Sequence, residues 1–536
     1  MRAFVNDLRF AVRILARTPA VTFAAILALA VAIGANTAIF SVVDAVLLEP
    51  LPYHQPDRIV TIWNSWQEKG YPQLPALPSD YVEWAKQATV FQQLGASQGM
   101  EVNVTGGAEA ERLHAARSSH GLFPLLGVRP ALGRGFVASD EQSPNVVVLS
   151  DGLWRRRFAA RPDVVGQTMA IDGRGYTVVG VMPADFRFSV TWDRTGLSTP
   201  PIDLWVPLAL RADELNDGFS LTVLARLKPG VSVEGAQAEL RTIGNRISAQ
   251  DPDHKAIGAH LVGLHDLLTR EVRPAVVTLG VAVGLVLLIA CANIANLLLS
   301  KASVRRREIA IRAALGAGRG RLVQQMLTES LALGALGGFC GVGLAWAGTA
   351  LIARHAPAAV LRAGTIGLDL RTLTFTACVS LLSAILFGLA PALQALRVNI
   401  DTSLRASARG GVEGGAQGRL RSLLVVAEVA LAVLLVVGSG LLLRSFVKIV
   451  SVDPGFRSEG LTIARVSLPA SRYDTRARQS AFFEEMLSRV RGLPEISAVS
   501  AAATPPLEQG REIFFRIEGR GDDGDVRRAK VAGSIA

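Results

Sequence analysis

Nucleotide-driven chemistry needs a glycine-rich loop ending in Gly-Lys-Ser or Gly-Lys-Thr, whose backbone N–H groups and lysine hold phosphates. Neither tripeptide occurs in the 536 residues. Metal chemistry needs clustered donors, yet the seven histidines are scattered and no His-Glu-x-x-His or Cys-x-x-Cys spacing gathers ligands. Cys291, Cys340 and Cys378 all fall in apolar runs, which leaves no disulfide framework. An ion relay needs ionisable groups inside apolar runs, and only Glu329 and Glu428 qualify. Each lies one or two turns from Arg321 or Arg421, which reads as snorkelling or a local ion pair instead of a proton path. Neither a catalytic nor a metal site is therefore expected. The informative residues lie in 300–333, SKASVRRREIAIRAALGAGRGRLVQQMLTESLAL. Glu308 stands four residues before Arg312, the stabilising order on a helix, and Val304, Glu308, Ile311 and Leu315 share a face. Gly316-Ala317-Gly318 can end this helix and turn the chain. A basic helix with an apolar stripe, a paired glutamate and a glycine stop suits docking onto another protein; the plainer alternative is a charge cluster that only sets topology.

The elements that must hold this segment are apolar and long. A bilayer crossing takes about 20 mostly apolar residues. Spans are expected at 20–43, 274–299, 322–353, 372–396 and 422–443. Half the residues are hydrophobic, the mean hydropathy is +0.34 and the formal charge is +11. That charge is concentrated: about +3 in 2–17, about +6 in 301–321 and about +3 in 397–421, which puts those segments in the cytoplasm. Residues 44–273, with about 22 basic and about 26 acidic side chains, belong outside. A nucleic-acid partner, the usual alternative at a pI near 10.1, would want a basic face on a folded domain, and here the charge lines membrane edges.

Before the first span, Phe4, Leu8, Ala11, Val12 and Leu15 oppose Arg2, Asn6, Arg9, Arg13 and Arg17, so 1–19 is expected as an interfacial amphipathic helix. No small-residue cleavage site follows, and the first span is expected to be retained. The segment 44–273 is too long for a loop and carries mixed helix and strand signals. Asp80 and Glu83 read as a helix start before Tyr81, Trp84 and Ala88; 145–149 and 167–182 read as strands, the second with a hairpin turn at Asp172-Gly173. Residues 221–227 read as a strand, Lys228-Pro229-Gly230 as a turn, and 233–247 as a helix capped by Ser232 and packed through Ala236, Leu240, Ile243 and Ile247. The fold class expected is an α-helical membrane protein with a large α+β extracytoplasmic domain.

After a basic, glycine-containing linker at 397–421 the outline begins again: basic flank, apolar helix, then strand, helix and strand in 444–536. The second helix is expected at about 475–491, stopped by Gly492 and Pro494, with Phe482, Met486 and Val490 on one face. A four-span unit is thus followed by the start of a second one, either incomplete or closed by a shorter outer domain. Within the third span, Gly334, Gly337, Gly338 and Gly341 make two overlapping small-xxx-small spacings, suited either to static packing or to a moving interface. Asn293 and Asn296 are read as inter-helix hydrogen bonders.

RRREIAIRAALGAGRGRLVQQMLTESLALGALGG closely resembles the coupling segment of FtsX-like and MacB-like ABC transporter permeases. The opening run LRFAVRILARTPAVTFAAILALAVAIGANTAIFSVVDAVLLEPLPY, with GVRPALGRGF, VVVLSDGLWRRRF, YTVVGVMPADF and DLWVPL, resembles their duplicated orphan members over nearly the whole chain. The resemblance implies a MacB-like domain at 44–273 and a coupling helix at 300–321. In it Arg305, Arg306, Arg307, Glu308, Ile309, Ile311, Arg312, Leu315 and Gly316 would dock on a separate ATPase subunit. ATP and Mg would sit on that subunit, with no cofactor on this chain. The further partners implied are the lipid bilayer and a second permease chain or periplasmic adaptor. The setting would be a bacterial inner membrane, and motion passed across it would drive export or extraction of a substrate. Two other readings stand beside it: a transmembrane regulator that activates an envelope enzyme through the same helix, and a passive anchored scaffold, which has no need of docking. The sequence departs from the duplicated pattern in lacking a second set of return spans and a second coupling helix.

Overall fold

The structure, a computed structural model, describes residues 2–105, 111–186, 188, 201–215, 218–250, 257–270, 272–304, 319–355, 367–396 and 415–453, most of 455–502, and 512–515 and 527–530. The chain divides into two units, Met1–Glu49 with Leu268–Val452 and Pro50–Leu267 with Asp453–Ala536. The first opens with α1 (Arg2–Arg17) and α2 (Pro19–Val43). On α1, Ala11 and Leu15 are buried while Arg9, Arg13 and Arg17 are exposed, and Thr22 Oγ1 of α2 donates to Leu15 O at 2.9 Å. Pro19 suits the first turn of α2, where its missing N–H would have no partner. A π-helical turn, Asp44–Leu48, carries α2 to its end.

The second unit is built on an 11-stranded, mostly antiparallel sheet. Its strands are β1 (Ile59–Trp66), β2 (Tyr71–Leu74), β3 (Phe91–Thr105), β4 (Glu111–Ser118), β5 (Leu132–Gly133), β6 (Val146–Leu149), β7 (Thr168–Ile171), β8 (Arg174–Val181), β9 (Leu204–Pro207), β10 (Thr222–Leu227) and β11 (Gly258–Gly263). The path runs β11-β1-β10-β3-β4-β9-β6-β8-β5, with β2 on β1 and β7 between β3 and β8. Strands β4 and β9, and β6 and β8, pair parallel. The helices are α3 (Pro78–Gln87), α4 (Leu122–Leu126), α5 (Ala138–Gln142), α6 (Asp151–Phe158), α7 (Val233–Gln250) and α8 (Leu264–Thr269). The β7–β8 hairpin turns at Asp172 (φ 48°) and Gly173 (φ 79°), the two left-handed positions such a tight turn requires.

Every residue of β10 is buried, and Val223 and Ala225 meet Ala236, Leu240 and Ile243 of α7 and Trp84 of α3 in one core. Gly235 N donates to Ser232 Oγ at 3.1 Å, which caps the first turn of α7. Gln237 of α7 covers the outer edge of β11 by donating from Nε2 to Ala259 O (2.6 Å) and accepting from Leu261 N (2.9 Å). Edge strands need such cover. Helix α3 begins at Pro78, so Asp80 is its third residue and not its cap. Its carboxylate instead accepts from Asn64 Nδ2 of β1 at 2.6 Å, which ties helix to sheet inside the domain.

The segment that enters this unit is fastened by arginines. Arg226 of β10, 2% exposed, donates from Nη1 to Gln55 O (3.3 Å) and from Nη2 to Leu125 O at the end of α4. Arg58 Nε donates to Leu227 O at 2.9 Å, and His54 N to Leu126 O at 3.1 Å. Gln55 is held at φ 47°. Among the described residues no carboxylate pairs with Arg226, and burial, with Arg58 close by, pushes its pKa down.

In the first unit the chain continues as α9 (Arg273–Val304), α10 (Arg319–His355), α11 (Leu370–Leu396) and α12 (Gly415–Val450). Among the described residues five helices are long and apolar enough to cross a membrane. The second unit ends with α13 (Arg476–Arg491), capped by Thr475 Oγ1, and a hairpin of β12 (Glu512–Phe515) and β13 (Arg527–Lys530).

The span bundle as candidate functional site

The docking residues Arg305, Arg306, Arg307, Glu308, Ile309, Ile311, Arg312, Leu315 and Gly316 lie outside the described residues. Their flanks are described. At the end of α9, Lys301 Nζ donates to Thr18 Oγ1 at 2.7 Å, which brings that end to the joint between α1 and α2. Helix α10 starts at Arg319 and runs 37 residues, about 55 Å at 1.5 Å per residue.

Helices α2, α9, α10 and α11 share a core of Leu29, Ile33, Cys291, Ile294, Leu333 and Phe387. The glycines of α10 decide how close they come. A Cβ on Gly337 would lie 2.5 Å from Leu29 Cβ, and one on Gly341 3.2 Å from Gly34 N. A Cβ on Gly334 would lie 2.8 Å from Ala384 Cβ, and one on Gly338 would strike Ser380 Oγ. The two overlapping spacings therefore serve different neighbours: Gly337 and Gly341 admit α2, while Gly334 and Gly338 admit α11. Gly34 and Gly388 answer from the other side, Gly388 against Ser330.

Three polar side chains of α2 reach its neighbours. Asn36 Nδ2 donates to Val283 O of α9 at 2.8 Å, the Thr37 and Thr376 hydroxyls are 2.9 Å apart, and Ser41 Oγ donates to Gly367 O at 2.9 Å. Phe40 stacks on Phe375 with centroids 3.9 Å apart. Asp44, buried, faces Arg371 across 3.7 Å. Among the described residues Asn293 is exposed on α9 and Asn296 Oδ1 is buried without a hydrogen-bond partner, while Asn36, Thr37 and Ser41 form the ties described above. The signal is present in the sequence, because polar residues at 37, 41 and 44 fall on one helical face inside an apolar run. Glu329 and Glu428 are both half-buried.

The fifth long helix differs. The apolar stretch of α12 has no buried residue, and its Gly438 and Gly440 face open space.

Residues 22–243 match the MacB-like periplasmic core domain, and residues 280–400 the FtsX-like permease C-terminal domain. The chain is 28% identical over 280 residues to the pyoverdine export ATP-binding/permease protein PvdT of Pseudomonas syringae pv. tomato, covering 52% of this chain and 40% of PvdT. It is 27% identical over 284 residues to the macrolide export ATP-binding/permease protein MacB of Sodalis glossinidius, covering 51% and 41%. It is 23% identical over 279 residues to the ABC transporter permease YknZ of Bacillus subtilis, covering 51% and 65%. The chain thus spans about two fifths of the first two relatives' length. The periplasmic region of MacB from Actinobacillus actinomycetemcomitans aligns with 40% of this chain and 92% of that structure at 16% identity and a TM-score of 0.30. A core domain of one family followed in the same chain by a permease domain of the other, on apolar helices of spanning length, makes this protein a membrane permease with a periplasmic domain, a member of the FtsX-like and MacB-like ABC transporter permeases.

Proposed function

We propose that the chain is the permease subunit of a MacB/FtsX-type ABC transporter of the bacterial inner membrane, and that it passes motion from a separate ATPase to its periplasmic domain. Residues 44–273 lie outside and 300–321 inside, and the moved domain exports or extracts a substrate at the outer face. ATP and Mg are held by the ATPase, which docks on Arg305 to Gly316. The observation that carries this reading is α10: it begins three residues after Gly316, spans the bundle, and grips α2 through Gly337 and Gly341. The chain leaving α2 and its π turn leads in turn to Pro50, where the second unit begins. A push on the docking segment is delivered by a rigid helix to the span that leads outside. The recurrence of a basic-flanked apolar helix, α12, before α13 and the β12–β13 hairpin supports the duplicated subgroup.

The test is ATPase-subunit pull-down alongside membrane abundance. Glu308→Arg and Leu315→Asp are expected to abolish partner capture at normal abundance, since one reverses a helix-surface charge pair and the other puts a charge on the apolar stripe. Full capture by both would reduce the segment to a topogenic cluster. The purified chain alone is expected to be inert with ATP, and a cysteine at Ser303 to be shielded from an impermeant outside reagent in intact cells.

A further inference from the structure

The outer half of the bundle is closed differently from its middle. Around Gly337 and Gly341 the contact is van der Waals at close range, with nothing to release. Toward the outer end, α2 and its π turn meet α11 and the residues just before it through discrete ties: Thr37 with Thr376, Phe40 with Phe375, Ser41 with Gly367 O, and last Asp44 with Arg371. The final tie is lopsided. Asp44 is buried, Arg371 is mostly exposed, and their 3.7 Å separation is an ion pair without a close hydrogen bond.

Asp44 is also where α2 changes pitch. Its carbonyl accepts from Glu49 N, five residues on, at 2.7 Å, and Asp44–Leu48 forms the π-helical turn. Such turns carry one surplus residue and are frequent at functional sites. Relaxing the turn to α geometry would remove that surplus, rotating the chain beyond Leu48 by about 100° and shifting it by about 1.5 Å along the axis. Two residues beyond Leu48 stands Pro50, the first residue of the second unit. A buried carboxylate is costly without its cation, so the pair and the turn are coupled: while Arg371 stays, Asp44 can remain turned inward toward α11.

We propose that the Asp44–Arg371 pair is a releasable clasp that holds the last turn of α2 in its π register, and that opening it re-aims the chain entering the periplasmic domain. The clasp goes beyond the permease reading, and its test needs no partner, so the two can fail separately.

The chain is placed in lipid nanodiscs with Cys291, Cys340 and Cys378 replaced by alanine. Single cysteines at Val46, buried, and Leu48, 55% exposed, report the register by maleimide labelling. In Arg371→Gln, Val46→Cys is expected to label several-fold faster and Leu48→Cys several-fold slower, while Arg371→Lys, which keeps the charge, labels like the parent. A Thr37→Cys/Thr376→Cys pair is expected to cross-link equally in all three, which shows that release is confined to the outer turn. Unchanged labelling in Arg371→Gln overturns the clasp. So does equal disturbance by Arg371→Lys, and so does loss of the Thr37–Thr376 cross-link, since the pair would then be general packing.

Discussion

Helices α2 and α12 are nearly equally apolar, and both follow a basic flank. Yet more than half of the apolar stretch of α2 is buried and none of that of α12. In lipid, apolar side chains gain little by leaving the solvent for a neighbouring helix, because the tails are as apolar as leucine. Partnership is decided by small residues that let backbones approach and by polar side chains that find acceptors. Helix α2 has Gly34, Asn36, Thr37 and Ser41 in use; α12 has Gly438 and Gly440 with nothing against them. Hydropathy marks a span, whereas the small and hydroxyl residues mark its neighbours.

The sharpest way to break this contrast is to fill the glycine contacts. Gly337→Leu drives a side chain into Leu29 and is expected to cost about 1–3 kcal/mol of bundle stability, the range for overpacking. Gly438→Leu on α12 is expected to cost nothing measurable. Thermal unfolding in detergent, followed by size-exclusion chromatography, separates the two; equal losses would mean that α12 is packed around Gly438 as well as at Leu424, which lies against the bundle core. A smaller effect is expected from Thr37→Val, about 0.6 kcal/mol and at most about 1.7, with non-additivity against Thr376→Val in a double-mutant cycle. Ser439→Ala on α12 should be silent in the same assay.

The smallest effect sets the bundle against the water-facing domain. The Arg134 guanidinium, through hydrogen bonds of 2.6 and 3.0 Å, holds the Asp140 carboxyl below its usual range, and Val137 N adds a third. A carboxyl whose pKa is depressed by folding contributes stability above its unfolded pKa and loses it as pH falls through the folded value. Arg134→Gln should therefore lower the melting temperature slightly at pH 7 and converge with the parent below the acidic range. A difference that persists undiminished in acid would show that the arginine acts through packing instead.

Much of this is legible from residue spacing. Ser232 with Ala236, Leu240 and Ile243 marks α7, and Asp172-Gly173 marks the β7–β8 turn, because each rule involved is local. The start of α3 is not legible in the same way, because Pro78 can open a helix without a polar cap, and Asp80 answers to Asn64 of a distant strand. Long-range partners of that kind leave no periodic trace. The glycine spacings in α10 point to close packing, but which helix each admits depends on the three-dimensional arrangement. Asn293 and Asn296 stand out by residue type, while Thr37, Ser41 and Asp44, weaker individually, have the spacing that matters. The docking residues 305–316 rest on sequence pattern and family resemblance.

The arginine fastening at the entrance of the periplasmic domain has a consequence in time. Arg226 holds Gln55 across 171 positions of sequence, and Arg58 reaches Leu227 across 169. At a synthesis rate of about 5–20 residues per second, Gln55 leaves the ribosome roughly 10–30 s before its partner does. Throughout that interval the Gln55 carbonyl lacks its Arg226 guanidinium, and Arg58, three residues on, holds only the Gln55 side chain. The segment just past the first span, although made early, is locked only once β10 has been made.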